Sequence, residues 1–139
     1  MKTKLLCVAL FVAVSIQSCK KDEDTKPSEG GTVPVIDHTI AGKWVGKYGY
    51  GNDNPDIYYC FQINANGTLK ELHSDGVQSG TGTWTLTTTT FSAYTQFLPP
   101  LSTACRVNGT LNESTMRITG TWGYSPSVSN GGKFYLQKQ

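Results

Sequence analysis

From Ile40 onward, apolar and polar residues alternate one for one in short runs, and nowhere do ten residues show helical periodicity free of Gly or Pro. A period of two places successive side chains on opposite faces of an extended chain, so the segment reads as all-β. The alternation predicts strands near 41–50, 56–64, 68–74, 80–87, 90–97, 103–111, 115–123 and 132–138. Between them lie residues that favour tight backbone reversals: Asn52 to Pro55, Asn66-Gly67, Asp75-Gly76, Pro99-Pro100, Asn112 to Ser114 and Asn130-Gly131-Gly132. Asn108-Gly109 has the same chemistry. A turn there would leave a stub of about five residues before it and an overlong strand after it, when strands usually run about five or six, so it is read as strand.

The same alternation sorts the faces. One set comprises Trp44, Gly46 and Tyr48; Ile57, Tyr59, Phe61 and Ile63; Gly80, Gly82, Trp84 and Leu86; and Phe91, Ala93 and Phe97. It continues with Cys105, Val107, Gly109 and Leu111; Met116, Ile118, Gly120 and Trp122; and Phe134 and Leu136. These point inward. The opposite faces carry mostly Lys, Thr, Ser, Arg and Gln, which suits water and lacks the apolar outer band of a transmembrane barrel.

Eight strands on short connections can form an up-and-down barrel or a two-layer sandwich. The expected fold is an eight-stranded antiparallel up-and-down barrel, with a β-sandwich as the alternative, because closure pairs the first and last strands and removes exposed edges. Gly42-Lys43-Trp44, Gly82-Thr83-Trp84 and Gly120-Thr121-Trp122 recur at intervals of 40 and 38 residues, with Asn-Gly-Thr-Leu at 66 and again at 108 between them. That spacing suits propeller blades, but 100 residues fall short of the usual minimum of about four. The repeat is read as packing: a glycine two residues before a tryptophan leaves room for an indole or lets the strand bend.

The Gly-Lys-Trp opening, the GTGTW and ITGTW strands and the closing Gly132-Lys133-Phe134-Tyr135-Leu136 resemble the small lipocalin-like barrels of bacterial lipoproteins. The resemblance spans residues 40–139 and implies a non-catalytic barrel able to hold a small apolar ligand at its mouth.

Ahead of this domain the pattern changes. Lys2 and Lys4 precede an apolar run from Leu5 to Ile16 that ends at Ser18-Cys19. The run is too short for a membrane span, which needs about 20 residues, and matches the apolar stretch of a secretory signal. Residues 1–18 are therefore expected to be a cleaved signal peptide. The small residue before Cys19 resembles a bacterial lipobox, which implies that Cys19 is acylated and becomes the mature N-terminus. Residues 19–39 then form a lipidated start and a charged, Pro- and Gly-bearing tether, expected to be disordered, with a reach on the order of 25 Å. Lys20, Lys21, Asp22, Glu23 and Asp24 after that cysteine resemble the export signal of Bacteroidota surface lipoproteins, implying outer-membrane placement with display on the cell surface.

Removal of Lys2 and Lys4 lowers the basic groups from 12 to ten, equal to the acidic ones. A neutral mature chain offers no basic stripe for nucleic acid, and membrane attachment falls to the acyl chains of Cys19. Two cysteines remain in the domain, Cys60 and Cys105. The strand order puts them on non-neighbouring strands, farther apart than a disulfide spans, so they are read as separate thiols.

Candidate chemistry is sparse. Trp44, Trp84 and Trp122, with Tyr48 and Tyr59, are the pocket candidates; as large aromatics in a narrow barrel they are expected mainly to fill it, leaving at most a shallow cavity. The best polar cluster is Glu71, His73 and Asp75. If Leu69 points inward so do all three, and if Leu72 does they face water; the approaching Asp75-Gly76 turn favours a solvated strand end. Asn52, Asp53, Asn54 and Asp56 lack calcium-loop spacing, and a second domain histidine is missing, so neither metal nor cofactor is expected. With no nucleophile-base pair, the chain reads as a non-enzymatic lipoprotein that binds a small hydrophobic molecule or glycan near Tyr48, Tyr50, Tyr58 and Tyr124. The alternative is an accessory protein with a solid core that contacts another envelope protein.

Overall fold

A computed structural model describes residues 40–139; the expectations for the signal peptide, Cys19 and the tether lie outside the described residues. Eight strands follow one another: β1 (Gly42–Tyr48), β2 (Ile57–Ile63), β3 (Thr68–Leu72), β4 (Gln78–Thr87), β5 (Thr90–Phe97), β6 (Ala104–Asn112), β7 (Arg117–Tyr124) and β8 (Gly132–Lys138). Each pairs antiparallel with its neighbours in sequence, and β1 pairs with β8 from Trp44↔Lys138 to Tyr48↔Phe134, which closes the barrel. The up-and-down barrel is thus the fold, and the sandwich is not formed. Asn108 and Gly109 lie within β6, paired to Ser92 and Phe91 of β5.

Four strands, β1, β2, β3 and β7, are shorter than the alternation suggests, and in the last two a side chain caps the turn. β3 stops at Leu72 instead of running to residue 74, because its pairing with β4 slips between Glu71 and Leu72. Asp75 Oδ1 then accepts from the Val77 N–H at 2.9 Å while Gly76 takes a left-handed φ of 85°. β7 starts at Arg117 instead of 115, since Asn112 Oδ1 accepts from the Thr115 N–H at 3.1 Å and from the Ser114 hydroxyl at 2.8 Å. Met116 follows at φ 48° and remains half-buried against the core.

Most of the inward set of the alternation is the core, although Ile57 at the open end is exposed and Cys60, from the opposite face of β2, is fully buried. Trp44, Phe61, Ile63, Leu69, Phe91, Val107, Ile118 and Leu136 are buried essentially completely, and each such side chain stabilises the fold by about 1.5–3 kcal/mol. Outward positions such as Thr81, Thr83, Thr85 and Thr119 are exposed, and Arg117 lies over the Tyr135 ring at 4.2 Å. The barrel's two ends differ. At one end the connections are tight, residues 64–67, 88–89 and 113–116, and buried Ile40 accepts a 2.7 Å hydrogen bond from the Trp44 indole. Trp84 helps fill the same half, donating to the Asn64 carbonyl at 2.9 Å and stacking on Phe91. At the other end the connections are longer: 49–56, 73–77, 98–103 and 125–131.

The glycines that precede two of the tryptophans serve strand approach rather than indole space. A Cβ on Gly82 would collide with the Tyr94 carbonyl, and one on Gly120 with the Asn108 carbonyl. Both clashes are with backbone of the adjoining strand, which no side-chain adjustment relieves, so the barrel's curvature depends on these positions. The glycine that makes room for an indole is elsewhere: a Cβ on Gly131 would lie 2.6 Å from the Trp122 ring.

Candidate ligand cavity

The long-loop end opens into a cavity of about 620 Å³. The aromatic side chains expected to fill the interior do so only in the tight-turn half. The cavity wall draws on Tyr48 from β1, Tyr59 from β2, Glu71 from β3, Phe97 from β5, Cys105 from β6 and Trp122 from β7, so every one of these strands contributes an inward position near its open end. Leu98 to Leu101 of the β5–β6 loop and Leu72 to Ser74 after β3 complete the rim.

Trp122 organises the aromatic side. Its indole N–H donates to the Gly49 carbonyl at 2.9 Å, and Gly131 lets the backbone press against its face. Tyr48, Tyr50 and Tyr124 meet it edge-on, with ring centroids at 5.3, 5.3 and 5.4 Å, and Tyr48 in turn meets Tyr59 at 5.4 Å. Edge-to-face contacts of this kind are each worth about 0.5–1.5 kcal/mol beyond area burial.

The polar cluster read from the sequence is split by the slip in β3. Leu69 and Glu71 both point inward, as strict alternation requires, but the strand ends before His73 and Asp75 can follow. Those two are exposed on the turn, with His73 at the cavity rim, and the solvated reading fits them. For Glu71 it is corrected: the side chain is 9 % exposed and forms part of the cavity wall. Its Oε2 has no hydrogen-bond partner, and neither has the Oγ1 of fully buried Thr95. The two side chains approach one another across β4 because position 80 between them is glycine, where a Cβ would sit 3.5 Å from that of Glu71 and 3.4 Å from Thr95 Cγ2.

Burial pushes the Glu71 carboxyl up to about 7, with the nearby Thr95 hydroxyl pulling weakly the other way. Burial, followed by the Glu71 charge, raises the Cys105 thiol to about 11 and the Tyr59 phenol well above its ordinary range. Burial and the Tyr50 phenol raise Tyr48 to about 12. Near neutral pH these neighbours are uncharged, whereas the Glu71 carboxyl changes charge there. No lysine or arginine lines the cavity.

Of the pocket candidates read from the sequence, Tyr48, Tyr59 and Trp122 line the cavity; Trp44 and Trp84 do not, because their places along β1 and β4 put them in the filled half. Tyr50, Tyr58 and Tyr124 stand at the mouth as expected. Thr95, an inward polar position, has a signal in its alternation with Phe91 and Ala93. Cys60 and Cys105 are free and buried, on β2 and β6. Among the described residues, no three His, Cys, Asp or Glu side chains are placed to hold a metal ion. Compared with protein-family models, with curated proteins and with solved structures, the chain matches none.

Proposed function

We propose that this chain is a lipid-anchored binding protein of the bacterial envelope, whose barrel takes a small molecule with an apolar body at its open end. The observation that carries the reading is the cavity: about 620 Å³ falls within the 300–1,000 Å³ range of small-molecule sites, and its wall combines apolar and aromatic surface with polar groups that include the Glu71 carboxyl. The accessory-protein alternative rested on a filled centre, which the open half does not have. The Cys105 thiol that faces Glu71 is held protonated, raised to about 11 by burial and the Glu71 charge, and the reading is non-catalytic.

The anchor is a separate part of the proposal, supported by the apolar run from Leu5 to Ile16, the Ser18-Cys19 junction and the charged residues that follow. Acyl chains on Cys19 would hold the domain at the outer membrane, displayed on the cell surface, with the tether keeping the cavity clear of headgroups. Two measurements test the parts independently. Titration with a chemically diverse set of small molecules should quench tryptophan fluorescence and raise the melting temperature for some members; a protein indifferent to all of them is not a binding module. In cell fractionation, Cys19→Ser should leave the membrane fraction, and a variant that stays there refutes acylation as the anchor.

A further inference from the structure

Resting on the reading of the cavity as a binding site, we propose that its ligand is a small organic cation, an amine whose ammonium donates to Glu71 while its apolar body packs against Tyr48, Tyr59 and Trp122. The first ground is the orphaned oxygen. A carboxyl taken out of water needs donors, and Glu71 Oε2 has none within the protein although it lies in the wall of an open cavity. The Thr95 hydroxyl is the donor beside it, and the further donors a carboxylate needs can come from what enters.

The second ground is the surroundings. Tyr48 faces Glu71 from β1, Tyr59 from β2, Thr95 from β5 and Cys105 from β6, with Gly80 beside it on β4. No cation is among them, and the phenols and the thiol are held neutral by their raised pKa values. His73 stands apart at the exposed rim. Above about pH 7 the buried wall therefore carries a single uncompensated negative charge. The aromatic rings that line the approach add to this preference, since a ring face attracts a cation. An anionic or purely apolar ligand would leave Glu71 unpaired or force it to remain protonated.

The test uses three ligands with the same phenyl body on the purified full chain: 2-phenylethylammonium, propylbenzene, in which a methyl replaces the ammonium, and 3-phenylpropanoate. Binding is followed by calorimetry from pH 5 to 8. At pH 8 the ammonium should bind at least about tenfold more tightly than propylbenzene, the usual worth of a charge-assisted hydrogen bond. Its affinity should fall by up to about tenfold per pH unit below about 7, as Glu71 takes up a proton that binding must displace. Glu71→Gln should abolish both the preference and the pH step while keeping propylbenzene binding, and Glu71→Asp should restore part of the preference. Equal or tighter binding of propylbenzene by the unaltered chain overturns the cation inference and leaves the binding reading standing. So does tightest binding of 3-phenylpropanoate with affinity lost as pH rises, which would make protonated Glu71 a donor to an anion. Failure of all three ligands to bind overturns the inference, while the binding reading stands or falls separately on the diverse-ligand titration.

Discussion

Replacing Glu71 by Gln removes a charge from the barrel wall while keeping the side chain's shape, and the stability change can be worked out from the burial of the carboxyl. In the folded chain it titrates at about 7, against an ordinary value of 4.5. Below about pH 4.5 the side chain is protonated whether the chain is folded or not, and it costs nothing. Between 4.5 and 7 the folded state keeps a proton that the unfolded state has released, so stability falls as pH rises. Above 7 both states are ionised and the full penalty applies. Each pH unit of the gap is worth 1.36 kcal/mol, so the unaltered chain should lose about 3 kcal/mol across this window. That is a large share of the roughly 5–15 kcal/mol that holds a domain together. Glu71→Gln should therefore match the parent near pH 4.5 and exceed it by about 3 kcal/mol at pH 8, measured without ligand by urea denaturation. Comparison of the two chains at each pH cancels every other titrating group. A difference that does not change with pH, or a parent that gains on the variant as pH rises, would show that the carboxylate has a stabilising partner and refute the reasoning.

Other substitutions probe the packing. Gly82→Ala should cost on the order of 3 kcal/mol in the same denaturation assay, because its Cβ meets the Tyr94 carbonyl, whereas Gly80→Ala, whose nearest atom is the Gln96 carbonyl at 3.1 Å, should cost distinctly less. Trp122→Phe should lose the bond to Gly49 and destabilise by about 1–3 kcal/mol, and it should abolish ligand-dependent fluorescence quenching that Trp84→Phe retains. Cys60 and Cys105 should resist a thiol-specific reagent at pH 8 and react once the chain is unfolded; with the Cys105 thiol at about 11, about one molecule in a thousand is thiolate there.

The closed half of the barrel was legible in the sequence because one rule decides it. Wherever an inward position is Trp, Phe, Ile, Leu or Val, alternation alone assigns the face, and a strand slipped by one residue would turn the whole set to water. Asn108-Gly109 was kept within a strand on a different ground, the strand lengths a turn there would leave. Alternation fails where a side chain captures the backbone: Asp75 and Asn112 bond to nearby N–H groups and end or delay a strand, a local competition that periodicity does not register. The glycines were half-legible. Their link to curvature followed from their positions, but which of them faces an indole depended on Gly131, a loop residue whose approach to Trp122 is set by the return of the chain into β8.

The open half was harder to read for a reason that bears on what it does. Volume there is set by loops and by where each strand stops, and neither is written in the pattern of apolar positions. Glu71 makes the difference plain. Leu69 and Leu72 disagree about the inward face, so the sequence left the carboxyl's side open, and the Asp75-Gly76 turn ahead told against burial; the register slip after Glu71 is what reconciles the two leucines. In the stretch of β3 and β4 from Leu69 to Leu86 that faces the filled half, the other inward positions are Leu69, Gly82, Trp84 and Leu86, and the pair Glu71 and Thr95 meets across Gly80. Departures from local consistency concentrate where a protein needs something besides stability. A chain that ran the apolar alternation through residue 71 would fold into the same barrel with less strain on its energetics near neutral pH. The carboxyl, buried in the cavity wall and short of donors inside the protein, is where a polar ligand group would recover that cost.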